Sequence, residues 1–377
     1  MASSIMSLNS SSIPLNTDSS SSGSFNIPSP GIRFEPEFYF AESIPSSALA
    51  DIEESQSFLI TSETPWDTIC NYVRDNQVSV LNLKFRKMDD AQFATLCHHL
   101  KCNHSVQCLL LCHETINAAK AKELASVIRL SSSLNTLEMP HCRFEPGCFE
   151  ILTGALAANH SMKTLNLANN LLGPSGLTEF AQVLEHNTTL IHVDLSGNKI
   201  GPDGTGPFSK ALEKNKTVKF LNLKKNEFKV IGVEPIFGAL KVNQALECLD
   251  LSDNGFTGVI ADLIRDAVKK SPSLMKLYLN ENHLTNTGAI ALAEAIKENP
   301  RLKQLYLSQT YIEDEGAKRL IEALEHRSLL SLDISCNRIS QKTYQEISEQ
   351  RHTLATQVIL ELFQRYPPIT LPPERPV

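Results

Sequence analysis

Positive charge is scarce along this chain. Over 377 residues, 35 Lys and Arg stand against 42 Asp and Glu, a net charge of -7. That balance lacks the basic footprint by which a protein grips a nucleic-acid backbone or an anionic membrane surface. Long apolar runs are missing too: none reaches the roughly 18 residues a membrane span needs. No basic-then-apolar stretch opens the sequence, so no signal peptide is expected. Aromatic residues amount to 6%, with a single tryptophan, Trp66. The familiar catalytic fingerprints are absent as well: no P-loop, no G-x-G-x-x-G in a strand–helix context, no G-x-S-x-G and no H-E-x-x-H. With 42% hydrophobic residues the chain is nonetheless globular in composition.

The nine cysteines, an odd number, are Cys70, Cys97, Cys102, Cys108, Cys112, Cys142, Cys148, Cys248 and Cys336. A chain this long needs no disulfide staples, so reduced thiols in a cytosolic setting are expected.

What is present is periodicity. Apolar residues recur at Val106, Leu134, Met162, Leu190, Val218, Leu246, Leu274 and Leu302, always 28 apart, with Val78 before and Leu329 after. Three positions on, the series reads Leu81, Leu109, Leu137, Leu165, Val193, Leu221, Leu249, Leu277, Leu305 and Leu332. A third apolar column follows two residues later, and a fourth closes each segment at its eleventh position. Between them Asn170, Asn198, Asn226, Asn254, Asn282 and Asn337 share a column. Arg86, Glu114, Cys142 and Thr310 replace that Asn in the other units, so the early turns are expected to be less regular. The second half of each unit carries apolar residues at i, i+3 and i+4, the inner stripe of a helix. A glycine column (Gly176, Gly204, Gly232, Gly288, Gly316) precedes that helix. An asparagine column (Asn103, Asn159, Asn187, Asn215, Asn243, Asn299) follows it, read as residues tolerant of a left-handed cap.

The motif L-x-x-L-x-L-x-x-N-x-L, ten times over residues 78–340, resembles the leucine-rich repeat family. A helix-bearing unit of 28 residues is similar to the ribonuclease-inhibitor subtype. The resemblance implies an α/β fold: a curved leucine-rich-repeat solenoid, or horseshoe, with parallel strands on the concave face and helices on the convex face. The Asn column is expected to be structural, satisfying backbone groups where the strand turns.

Outside the array, residues 1–56 form a Ser- and Pro-rich leader, with twelve Ser in residues 1–33, expected to be disordered. Residues 57–77 hold a cap helix from Pro65 to about Arg74, with Thr64 as its cap. Residues 341–366 read as a C-terminal cap helix, with Tyr344, Ile347, Leu354, Val358, Leu362 and Phe363 on its apolar side. The tail 367–377 is Pro-rich and reads as a bland extension rather than an SH3-type ligand.

One cluster invites a metal: Cys97, His98, His99, Cys102, His104, Cys108, Cys112 and His113. The repeat phase divides it between a helix end and the next strand, so free thiols are expected and no metal or other cofactor is assigned. His113 and His141, at position eight of adjacent units, should lie side by side.

Strand alternation sends positions three and five outwards to the concave face. There Phe220, Tyr278 and Tyr306 sit among His192, Asp194, Asn222, Lys224, Asp250 and Lys276. Aromatics within mixed charge have the composition of a protein-binding hot spot. Units one to three offer a second, more apolar surface through Val80, Phe85, Cys108 and Leu110. No catalytic residue is assigned and no domain-sized segment remains for an enzyme. The expectation is a non-enzymatic, monomeric interaction module that binds a protein partner through the concave face, without nucleic acid or membrane.

The resemblance extends to stand-alone adaptors and to host-directed repeat effectors of intracellular bacteria such as Legionella. It implies a cytoplasmic location, or the host cytoplasm for an effector. The alternative is a GTPase-activating protein of the Ran type, which uses the same repeat subtype. That family ends in a strongly acidic stretch, whereas this chain ends Pro-Pro-Glu-Arg-Pro-Val.

Overall fold

A computed structural model describes residue 60 and residues 64–84, 86–324, 329–350 and 359–361. All fall within one compact unit, Ser43–Val377. The readings of the leader, of residues 367–377 and of Phe85 lie outside the described residues.

The elements alternate. After a first helix α1 (Trp66–Arg74), the strands β1 (Val80–Asn82), β2 (Cys108–Leu110), β4 (Thr136–Glu138), β6 (Thr164–Asn166), β7 (His192–Asp194) and β8 (Phe220–Asn222) follow in sequence. They continue with β9 (Cys248–Asp250), β10 (Lys276–Tyr278), β11 (Gln304–Tyr306), β12 (Ser331–Asp333) and β13 (Ile359–Glu361). A helix separates each strand of this series from the next as far as β12. All eleven strands form one parallel sheet in chain order. The register follows the period: Leu165 pairs with Val193, Val193 with Leu221, and Leu221 with Leu249. Strands repeat every ~4.8 Å whereas packed helices need ~8–10 Å, so the helix layer forces the sheet to the inside of a curve. The α/β leucine-rich-repeat solenoid expected from the sequence is the fold observed.

The core lies between the layers. Leu81, Leu137, Val193, Leu221, Leu249, Leu277, Leu305 and Leu332 point into it from the strands and are fully buried. Helix residues such as Phe180, Phe208, Ile236, Ile264, Leu292 and Leu320 meet them. No unit could bury its own apolar face alone, which ties the stability of each unit to its neighbours.

The Asn column is a ladder between units. Asn226, wholly buried, donates from Nδ2 to the carbonyls of Leu195 (2.9 Å) and Leu223 (3.1 Å), and its Oδ1 accepts from the Asn198 N–H at 2.8 Å. The ladder ends at Asn170, whose buried Oδ1 has no donor among the described residues. Below it the loops pair instead as a second sheet, β3 (Thr115–Ile116) with β5 (Arg143–Phe144). The substitutes take over the missing bonds. The Cys142 thiol faces the Leu111 carbonyl at 3.8 Å, the place an Nδ2 would fill. Glu114 accepts from the Met88 N–H at 2.9 Å and pairs with Lys120 at 2.9 Å; both side chains are buried. The early turns are therefore a different regular structure rather than an irregular one.

Four expectations need correction. The Asn column after the helices is not left-handed: Asn187 ends its helix at φ -77°, ψ 130°. Its Nδ2 bonds the Leu156 carbonyl of the preceding helix at 2.8 Å, and its Oδ1 accepts from the Thr189 and Leu190 N–H groups at 2.9 and 2.8 Å. It is a second ladder. Four of the five column glycines lie inside the helices rather than before them, and Gly204 precedes its helix as the N-cap residue. A Cβ on Gly204 would come within 2.6 Å of the Pro174 carbonyl, and one on Gly232 within 2.8 Å of Pro202 Cα. Glycine there permits close approach of adjacent units.

The third correction concerns residues 341–366. The helix is described over Gln341–Gln350, with Leu354, Val358, Leu362 and Phe363 outside the described residues, and Ile359–Glu361 is a strand rather than helix, with Leu360 opposite Leu332, again 28 residues apart. At the other end, α1 starts at Trp66 with Pro65 as its N-cap residue, one position later than expected, and buries Ile69 and Val73.

Candidate partner-binding face

Sheet alternation places positions three and five on the concave face, and the aromatic residues gather there in pairs. His192 and Phe220 stack with centroids 4.4 Å apart at 13°. Tyr278 and Tyr306 stack at 4.2 Å and 5°. Parallel pairing in register makes this automatic: identical positions of adjacent strands face each other at about one strand spacing. Phe220, His192 and Tyr306 are half-buried, and Tyr278 retains 7% exposure. None belongs to the core cluster between the layers.

The polar residues of position five have scaffold duties that sequence reasoning missed. Asp194, Asn222, Asp250 and Asp333 each accept from the backbone N–H two residues on, at 2.8, 3.0, 2.8 and 2.8 Å. The short polar side chain closes the turn that follows the strand. The signal was visible in the spacing Asp-x-Ser at 194–196, 250–252 and 333–335. Where tyrosine occupies the position, Asn280 supplies one acceptor, taking the Ser308 N–H at 2.8 Å. Asn222 also donates to Asp194 Oδ2 at 2.9 Å.

Charge on this face is unevenly matched. Lys84 pairs with Glu138 at 3.2 Å and Lys224 with Glu281 at 3.0 Å. Lys276 is half-buried and joins no ion pair among the described residues. Burial pushes the Asp250 carboxyl up to about 6, against backbone and side-chain bonding from Ser252 and the attraction of Lys224. Burial likewise raises Asp333 and Asp194. His192 is lowered by the same cause. Burial, then the neighbouring Tyr306, hold the Tyr278 phenol well above its ordinary value.

The apolar surface expected over units one to three is different. Cys108, Leu110 and Cys112 are buried, and Val80 is half-buried. All nine thiols are free. Cys108, Cys97, Cys142 and Cys248 are pushed up to about 12 by burial. No three His, Cys, Asp or Glu among the described residues are placed to hold a metal ion. His113 and His141 do stack, at 5.1 Å and 19°. No described helix is long and apolar enough to cross a membrane.

Comparison with known proteins gives repeat-sized matches. A leucine-rich repeat family model matches residues 158–181, 186–208, 270–293 and 325–342, and a second matches 245–267. Curated proteins yielded no match. Among solved structures, leiomodin-1 actin-binding site 2 is similar at 16% identity, over 41% of this chain and 92% of its own, with a TM-score of 0.34. The tropomodulin C-terminal domain of Caenorhabditis elegans is similar at 19% identity, over 40% and 93%, also at 0.34. The matched segments and the strand–helix register together make this chain a solenoid of leucine-rich repeats.

Proposed function

We propose that the chain is a non-enzymatic protein-interaction module whose concave face, centred on units five to nine, receives a protein partner. The observation that carries this is the pair of stacked aromatic couples, His192 with Phe220 and Tyr278 with Tyr306, standing outside the core. Large rigid rings at the middle of an extended surface supply contact area at little entropic loss, which is the chemistry of an interface anchor. Lys224, Lys276, Asn222, Asp194 and Asp250 surround them and set orientation. The 28-residue helix-bearing unit favours the ribonuclease-inhibitor-like subtype. A monomer acting in the cytoplasm, as a host-directed effector for instance, is the form of this module we infer, without nucleic acid or lipid as its ligand.

The test is capture from cell lysate by wild type and by a Phe220→Ala/Tyr278→Ala/Tyr306→Ala variant. An Ile231→Ala/Val259→Ala variant, altered at two exposed apolar positions away from the sheet, serves as control. Proteins lost only with the triple variant support the reading. An unchanged set of captured proteins defeats it. Turnover with a panel of GTPases tests the Ran-type alternative, which requires accelerated hydrolysis.

A further inference from the structure

Across four adjacent strands, position five reads Asp250, Tyr278, Tyr306, Asp333. The register is explicit: Tyr278 lies opposite Asp250 on one side and Tyr306 on the other, and Tyr306 lies opposite Asp333. The stacked phenols are thus bracketed by two carboxylates. Both are nearly buried, at 5% and 3% exposure, and neither joins an ion pair among the described residues. Elsewhere on the same face the carboxylate Glu138 does have its cation, Lys84. The contrast matters because a desolvated carboxylate without a counter-charge is unfavourable and is relieved by any cation that reaches it.

We infer, on the basis of the concave reading above, that this row is the anchor site for a basic side chain of the partner, and for arginine before lysine. A planar guanidinium lies flat against an aromatic edge or face and donates in parallel to a carboxylate, whereas an ammonium is a compact charge that keeps its water. Between ring and carboxylate the spacing is one strand, ~4.8 Å, which suits a group that touches both. Two local charges oppose this: Lys224, paired with Glu281, already attracts Asp250, and Lys276 stands closer to the tyrosines. Lys276 sits two residues before Tyr278 on the same strand and face, and is not ion-paired. Its ammonium repels an incoming cation, so its removal strengthens binding.

The experiment selects random displayed 16-residue peptides on the immobilised full chain, then measures the affinity of the selected peptides. Selected peptides are expected to be enriched in arginine. They should bind Asp250→Asn/Asp333→Asn at least tenfold more weakly and Lys276→Gln more tightly. A Glu213→Gln/Glu315→Gln variant, matched in charge and altered at exposed helix positions, should behave as wild type. Asn keeps the oxygen that accepts from the backbone, so the double variant retains its turns. Peptides that depend on Tyr278 and Tyr306 but are acidic, or that ignore the two Asn substitutions, overturn this inference and leave the concave reading standing. Peptides indifferent to Tyr278→Ala/Tyr306→Ala, or no selection at all, overturn both.

Discussion

Tyr278 and Tyr306, one repeat apart in sequence, stack 4.2 Å apart with their planes 5° from parallel. The contact follows from register alone, because β10 and β11 pair with these residues opposite each other. It also explains why Tyr278 is so little exposed while remaining outside the core: its ring is covered by its neighbours in the row. Such crowding along the concave face makes side chains there part surface and part scaffold.

Asp250 links pH to stability. Its carboxyl stands at about 6 against an ordinary 3.8, so the folded state prefers it protonated. The stabilising contribution is complete below the ordinary value and is lost as pH rises through about 6. Lys224, Asp194, Cys248 and Tyr278 are the charged or titratable groups that interact with it. Asp250→Asn should therefore raise the urea midpoint at pH 7.5, by about 1–3 kcal/mol of stability, and change little at pH 3.5. A larger gain at the acid end would contradict this.

The buried Glu114–Lys120 pair replaces a rung of the Asn ladder. Lys120→Met alone leaves a carboxylate buried without its cation and should cost about 3–5 kcal/mol. Adding Glu114→Gln should recover a good part of that loss. Strictly additive losses in a double-mutant cycle, read from urea unfolding, would mean that the two do not act together.

Two glycines give opposite expectations for the same change. Gly204→Ala drives a Cβ to 2.6 Å from the Pro174 carbonyl and should destabilise by about 1–3 kcal/mol. Gly154→Ala meets open space within its helix and should stabilise by about 0.5–1 kcal/mol. Thermal melts of the two variants should move in opposite directions.

Thiol reactivity should be sharply graded. Cys102 is exposed, whereas Cys97, Cys108, Cys142 and Cys248 are buried and pushed up to about 12. Brief alkylation of the folded chain at pH 8, mapped by mass spectrometry, should label Cys102 first and leave those four untouched. Early labelling of Cys108 or Cys248 would show that the concave side chains are less covered than described.

Much of this structure was legible because one number, 28, fixes phase, and phase fixes facing. The buried columns, the Asn ladder and the outward row with Tyr278 and Tyr306 all follow from it. The misreadings share a cause: a residue type was interpreted by its local habit where a contact between units decides. Asn187 bonds the previous helix, and Gly204 admits the previous unit's backbone. Neither partner is near in sequence. The C-terminal strand was hidden because Val358-Ile-Leu-Glu-Leu-Phe363 satisfies helical and strand periods alike, and Gln357 occupies the apolar first column. Asp194 and Asp250 look like free recognition groups until their bonds to the following turn are seen.

The most direct test of the central claim is site-specific photo-crosslinking in lysate. A benzophenone amino acid replaces Phe220 on the concave face or, in a second protein, Ile231 on an exposed helix position. A discrete crosslinked partner from position 220, absent from position 231, is the predicted result. Crosslinking from 231 with none from 220 would contradict it.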